Sequence, residues 1–195
     1  GITYPPQVMR WNGSRWISVD TGLELDGLRV LHGTGPDDIW IGAERGRVHH
    51  WNGSDWQTLR TQCRNEIEDI VSTGPDALWA AGTGGELLRY DGREWSFLQE
   101  GYRGSLVTGL WVEPSETLWG IDVGSHNRWD GVRWVNQSNG PRLGFFTAWA
   151  TGPDELWVAG HYGRVYRWDG QRLEEFRPDT PERLNAMWGS DSNNL

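Results

Sequence analysis

The chain of 195 residues carries 18 basic and 27 acidic side chains, for a formal net charge of -9. The acidic residues are spread along its length, which argues against a phosphate-backbone partner, so no nucleic acid is expected. No apolar run reaches the roughly 18 residues of a membrane-crossing helix, so no membrane role is expected, and the single Cys63 leaves no internal disulfide.

In chain order, residues 1 to 27 hold two short strands around Trp11-Asn12-Gly13. LRVLHG at 28 to 33 then alternates into a strand, and TGPDDIW at 34 to 40 supplies a turn with Pro in its favoured second position. A further strand ends at Trp51-Asn52-Gly53 and another begins at Trp56. The same run returns three times: IEDIVS with TGPDALW (73 to 79) and Tyr90-Asp91-Gly92; LVTGLWV with EPSETLW (113 to 119) and Trp129-Asp130-Gly131; FFTAWA with TGPDELW (151 to 157) and Trp168-Asp169-Gly170. LNAMWG at 184 to 189 starts a fifth, and SDSNNL follows where the next turn belongs.

The Asn and Asp positions of the second signal fall 40, 39, 39 and 39 residues apart. A fixed period of this length marks a repeat architecture. Each unit reads as four strands, A to D, in an antiparallel meander, with the Asn-Gly or Asp-Gly pair as a two-residue type I′ hairpin whose central residues both take positive φ. A sheet of about 39 residues that is apolar on both faces must stack on its like, and radial stacking gives a β-propeller. The expected fold is all-β: one domain over 1–195, a five-bladed β-propeller of four-stranded antiparallel blades. The repeats span about 28–66, 67–105, 106–144 and 145–183, with 184–195 plus 1–27 as one blade shared between the two ends. The C and D strands near residues 8 to 18 should then lie in one sheet with 184 to 189. The break inside strand B is what a segment of a longer array or a permuted chain would show. A monomer is expected, with a strand-swapped oligomer as the alternative.

All fifteen tryptophans occupy recurrent positions. Four close the first turn, four precede the Asn or Asp, four follow it by four residues, and Trp111, Trp149 and Trp188 precede the first turn. They read as repeated core packing, each ring burying roughly 150 to 250 Å².

The pattern TGPD-x-LW-x-AG followed by RWDG and a further Trp resembles the Trp-rich β-propeller repeats of bacterial proteins, notably the arrays in large extracellular proteins of myxobacteria. The resemblance covers the whole chain and implies an extracellular or cell-surface location. By blade number the chain is also similar to tachylectin-type lectins and five-bladed glycosidases, whose motifs it lacks.

In such a meander the A-to-B and C-to-D turns lie at one end and the B-to-C and D-to-A loops at the other. The first end repeats TGPD and Asn/Asp-Gly and reads as structural. The second differs from blade to blade, as binding loops on a rigid scaffold do. Its candidate ligand-binding residues are Tyr4, Tyr102, Arg103, His126, Arg142, His161 and Tyr162. Glycoside cleavage needs two carboxylates facing one bond, and the inner strands offer only Glu68 and Asp69, from one blade. No catalytic residue, cofactor or metal is expected: His49 and His50 are consecutive on a strand and point to opposite faces. Two readings follow, a protein-binding module working through the variable loop face and a lectin with sugar pockets built on the recurrent rings.

Overall fold

The computed structural model describes residues 7–74, 76–99, 107, 109–112, 117–122, 125–137, 144–152, 155–169 and 171–189. Strands β1 (Val8–Trp11) and β2 (Trp16–Val19) form a hairpin. Four sheets of four strands follow. The first is β3 (Leu28–Gly35), β4 (Asp38–Ala43), β5 (Arg47–Trp51) and β6 (Trp56–Arg60), and the second β7 (Ile67–Gly74), β8 (Ala77–Gly82), β9 (Leu87–Tyr90) and β10 (Trp95–Gln99). The third is β11 (Gly109–Val112), β12 (Leu118–Asp122), β13 (Ser125–Trp129) and β14 (Trp134–Asn136), and the fourth β15 (Phe145–Gly152), β16 (Glu155–Gly160), β17 (Val165–Trp168) and β18 (Leu173–Phe176). Every sheet pairs its strands in sequence order and antiparallel. The fold is the all-β propeller that the repeat predicts, with five sheets among the described residues.

Packing explains why the sheets stand side by side. One core joins Trp40 and Val48 of the first sheet to Ile67, Ile70, Leu78 and Leu88 of the second. A second joins Ala81 and Leu87 to Leu110 and Leu118, and a third joins Ile121 to Phe145, Leu156, Val158 and Tyr166. Each core therefore lies between consecutive sheets. The first strands touch in succession, β3 to β7, β7 to β11 and β11 to β15, and so line the axis.

Two recurrent tryptophan contacts run through the sheets. Trp11 faces Trp16, Trp51 faces Trp56, Tyr90 faces Trp95 and Trp129 faces Trp134 across the outer strand pair, with ring centroids 5.4 to 5.8 Å apart. Such cross-strand aromatic pairs fix hairpin register. Three of the first-turn tryptophans meet a side chain of the third strand: the His50 ring stacks on Trp40 at 3.7 Å, the Arg89 guanidinium lies 5.3 Å over Trp79 and that of Arg167 5.6 Å over Trp157.

The hairpin loops differ from the expected type I′ turns. Trp51 pairs directly with Trp56, so the loop has four residues, and only Gly53 takes a positive φ, of 90°. The Asn52 side chain replaces the second left-handed residue, its Oδ1 accepting from the backbone N–H of Ser54 and Asp55, each at 2.9 Å. Asn12, Asp91, Asp130 and Asp169 do the same. These backbone donors hold the Asp91, Asp130 and Asp169 carboxyls below the usual range.

In the fifth blade, β1 and β2 pair with each other, and residues 184–189 form no strand ladder. In an A-B-C-D sheet the two segments meet only through strand B, whose expected residues, 1–6 and 190–195, lie outside the described residues. The segment still meets β15 as a next first strand would, the Met187 N–H donating to Thr147 Oγ1 at 3.0 Å. Three rings of this blade are open in the structure: Trp11, Trp16 and Trp188 are exposed, Trp188 by 76%. The expectation that every recurrent tryptophan is buried therefore holds for Trp40 but not for these three.

The Thr147 clasp has a charged counterpart. Asp69 on β7 accepts from Leu110 N–H of β11 at 2.6 Å through one oxygen and from Ile70 N–H at 2.8 Å through the other. Some of its surface remains open, but its carboxylate sits in dense surroundings. Desolvation outweighs the two backbone donors and pushes the carboxyl up to about 7.

Two outcomes follow from this packing. Trp40, 1% exposed, should cost about 3 to 5 kcal/mol when replaced by Ala, whereas Trp16→Ala, 63% exposed, should cost under about 1 kcal/mol in urea melts. Because Asp69 holds a proton in the folded state that the unfolded chain releases near pH ~4, its contribution to stability should fall as pH rises from there to about 7. Asp69→Asn should remove that slope; an unchanged pH profile between 4 and 7 would mean that Asp69 is ionised throughout.

Candidate functional site

Backbone contacts divide the blade ends into two faces, as the meander requires. On one, a Cβ at Gly53 would meet Asp37, and one at Gly92 would meet Asp76, each at 3.0 Å, so the Asx loops sit against the TGPD turns. On the other, the second-to-third-strand loops bond to the connections between blades: Gly46 N–H donates to Asn65 O at 2.7 Å, Thr83 N–H to Glu66 O at 3.0 Å and Leu184 N–H to Gly160 O at 3.0 Å.

The first strands deliver side chains to this second face through a recurrent bulge. Leu28 pairs with Ala43 and Val30 with Gly42, leaving Arg29 as the extra residue. Glu68 and Phe146 are the extra residues at the same place in β7 and β15. A bulge releases a side chain from the alternation of the sheet and re-aims it. Here three equivalent positions carry a cation, an acid and an aromatic ring.

Arg29 and Phe146 meet the connection leading to the next blade, and Glu68 meets the second-to-third-strand loop of its own blade. Arg29 Nη2 donates to Glu66 Oε2 at 2.5 Å, and the guanidinium holds the Glu66 carboxyl below its usual range. Glu68 accepts from Thr83 Oγ1–H at 3.1 Å. Burial pushes its carboxyl up, Thr83 opposes the rise and neighbouring Glu66 adds to it. The Phe146 ring lies edge-on to His161, with centroids 4.5 Å apart, and carries the Arg183 guanidinium 3.7 Å over its face.

Tyr162 completes this corner. It tops a three-residue 3-10 turn, His161–Gly163, with φ +59°, and is 75% exposed. The left-handed conformation costs a non-glycine residue roughly 1 to 2 kcal/mol and is held here by the Gly163 and Gly160 backbone around it. Arg45 sits at φ +59° in the matching turn of the first blade.

The structure thus brings His161 and Tyr162 together and adds Phe146 and Arg183 to them. His126 is not a loop residue: it lies in β13, with its ring 6.1 Å from Trp119 and 5.7 Å from Trp168, and burial lowers its pKa. Tyr4, Tyr102, Arg103 and Arg142 lie outside the described residues. Phe146 and Arg183 escape a reading by alternation, since one sits in a regular-looking strand and the other in a polar connection. A signal did exist: Arg29 to Glu66 and Phe146 to Arg183 span the same 37 residues, joining equivalent positions.

Several other polar side chains bond within the scaffold, although His49 Nε2 is buried with no partner among the described residues. His49 Nδ1 bonds Thr58 Oγ1 at 2.9 Å, while His50 Nε2 bonds Asp38 Oδ1 at 2.7 Å on the opposite face of the strand. Cys63 is 4% exposed beneath the second blade's loops, its Sγ–H directed at Asn65 O at 3.6 Å, and burial pushes its thiol up to about 11. Asn65 Nδ2 donates in turn to Glu86, whose other oxygen accepts from Gly84 N–H at 2.8 Å.

No protein-family model and no curated protein sequence matches the chain. Solved structures do. A catalytically inactive virginiamycin B lyase from Staphylococcus aureus, determined with quinupristin, aligns at 13% identity with a TM-score of 0.76, covering 92% of this chain and 66% of that one. YCF48 bound to D1 peptide aligns at 18% identity and TM-score 0.65, over 89% of this chain and 61% of that one. The WD40 propeller domain of Doa1 aligns at 12% identity and TM-score 0.65, over 82% and 56%. The chain therefore spans two thirds or less of the length of each. At these identities the likenesses show the β-propeller fold, and the fold alone.

Proposed function

We propose that the protein is a non-catalytic binding module of the Trp-rich bacterial propeller-repeat kind, working outside the cell and holding a protein partner through its loop face. The observation that carries this reading is the corner formed by Phe146, His161, Tyr162 and Arg183, where an exposed aromatic side chain and a cation stand on a rigid strand-borne base. Aromatic and arginine side chains in such settings supply most of the energy in protein interfaces. The diversity at the bulge positions favours one composite site over five equal ones. YCF48, similar in fold, was solved with a peptide, which lends the reading an architectural precedent.

The carbohydrate reading draws less support. A sugar platform needs an open ring face, and Trp40, Trp79 and Trp157 each carry another side chain over theirs, His50, Arg89 and Arg167. Among the described residues the inner-strand carboxylates are engaged in the scaffold, Asp69 at both oxygens and Glu68 with Thr83.

Panning a phage-displayed dodecapeptide library on the immobilised protein, beside a glycan array, tests the proposal. Enriched peptides should lose about tenfold or more in affinity for the His161→Ala, Tyr162→Ala double variant. They should bind Asp37→Ser and Asp76→Ser variants of the turn face as tightly as the parent. A glycan signal with no enriched peptide would replace this reading with the lectin one, and sensitivity confined to Asp37 and Asp76 would invert the face.

A further inference from the structure

Arg183 differs from the other arginines of its region. Arg164 and Arg177 both pair with Glu175, at 3.6 and 3.1 Å, Arg167 pairs with Glu155 at 2.9 Å and Arg172 with Asp169 at 3.3 Å. Arg183 has no carboxylate partner among the described residues; its guanidinium lies on Phe146. Stacking uses the flat face of the group and leaves the in-plane N–H fork at its edge.

The first blade shows what this pair of positions does when the chain satisfies it internally. There the bulge residue is Arg29, the connection residue is Glu66, and the two form an ion pair at 2.5 Å. In the fourth blade the cation has moved to the connection and the bulge holds an aromatic ring, so among the described residues the carboxylate is the member missing. The ring also holds the guanidinium in place, which lowers the ordering cost of any anion that binds it. His161 and Tyr162 extend an aromatic ledge from the same spot.

Resting on the protein-binding reading above, we propose that Arg183 on Phe146 clamps a carboxylate of the partner: an acidic peptide segment whose Asp or Glu pairs with the guanidinium and whose neighbouring aromatic or large apolar side chain lies on Tyr162. The net charge of -9 opposes approach of such a segment, but at physiological salt that repulsion is screened beyond about 8 Å, whereas the contact pair is not. A basic segment would suit the overall charge and would meet a cation here.

The dodecapeptide panning supplies the test. The enriched sequences should share an Asp or Glu next to an aromatic or large apolar residue. A synthetic peptide of this kind should lose about tenfold or more in affinity when its acid is changed to Asn or Gln, and by the same factor when Arg183→Gln replaces the parent protein. The two changes together should cost no more than either alone, because they remove one contact. Phe146→Leu, which keeps an apolar base but not the ring face, should lose roughly threefold. The peptide arm needs no protein variant, so it decides even if Arg183→Gln melts early. Peptides that depend on Tyr162 but are neutral or basic, or that ignore the acid-to-amide change, overturn the clamp and leave the protein-binding reading standing. A selection that enriches nothing overturns both.

Discussion

The second and third sheets of this protein pack apolar side chains on both faces, and the rest of the fold depends on covering both. The cores lie between blades: Ile70 and Leu78 of the second sheet pack with Trp40 of the first, and Ala81 and Leu87 of the same sheet pack with Leu110 and Leu118 of the third. A single blade would leave both of those faces to water, so stability belongs to neighbouring pairs rather than to individual units. The first strands carry the tightest part of the bargain, where Asp69 and Thr147 reach across to the backbone of the following blade. Those clasps set the height of one blade against the next, and the loop face inherits its geometry from them.

This dependence explains how much of the fold could be read from the chain. Recurrence of TGPD and of the aromatic before Asn-Gly or Asp-Gly is legible because the same backbone problem is solved at each turn. The strands of the full blades accordingly appear where the period places them. The hairpin type was misread because an Asn or Asp before Gly suits two different turns. Which one forms depends on whether the side-chain oxygen caps the loop, as Asn52 does, and the dipeptide alone does not carry that information. Trp11, Trp16 and Trp188 are exposed although Trp40, at another recurrent position, is buried, because a position within a repeat carries no information about which neighbouring groups cover the ring.

The candidate site was legible by face but not by residue. Variation among blades singled out the loop end, and with it His161 and Tyr162. It could not single out Phe146, since alternation along FFTAWA gives no hint that residue 146 is released from the ladder. A bulge is a fact about two strands, and a pattern along one strand does not contain it. His126 shows the opposite error, a residue assigned to a loop that lies in β13 between two tryptophan rings.

Cys63 gives this architecture an internal clock. It is the only thiol in the chain, shielded beneath the loops of the second blade and protonated at neutral pH because burial pushes it up to about 11. A thiol reagent can reach it only when the connection carrying Asn65 and Glu66 lifts away from the loop held by Glu86. The rate of that modification measures how often the loop face opens. The molecule thus carries a native reporter of rigidity on its loop face, and needs no introduced label to be timed.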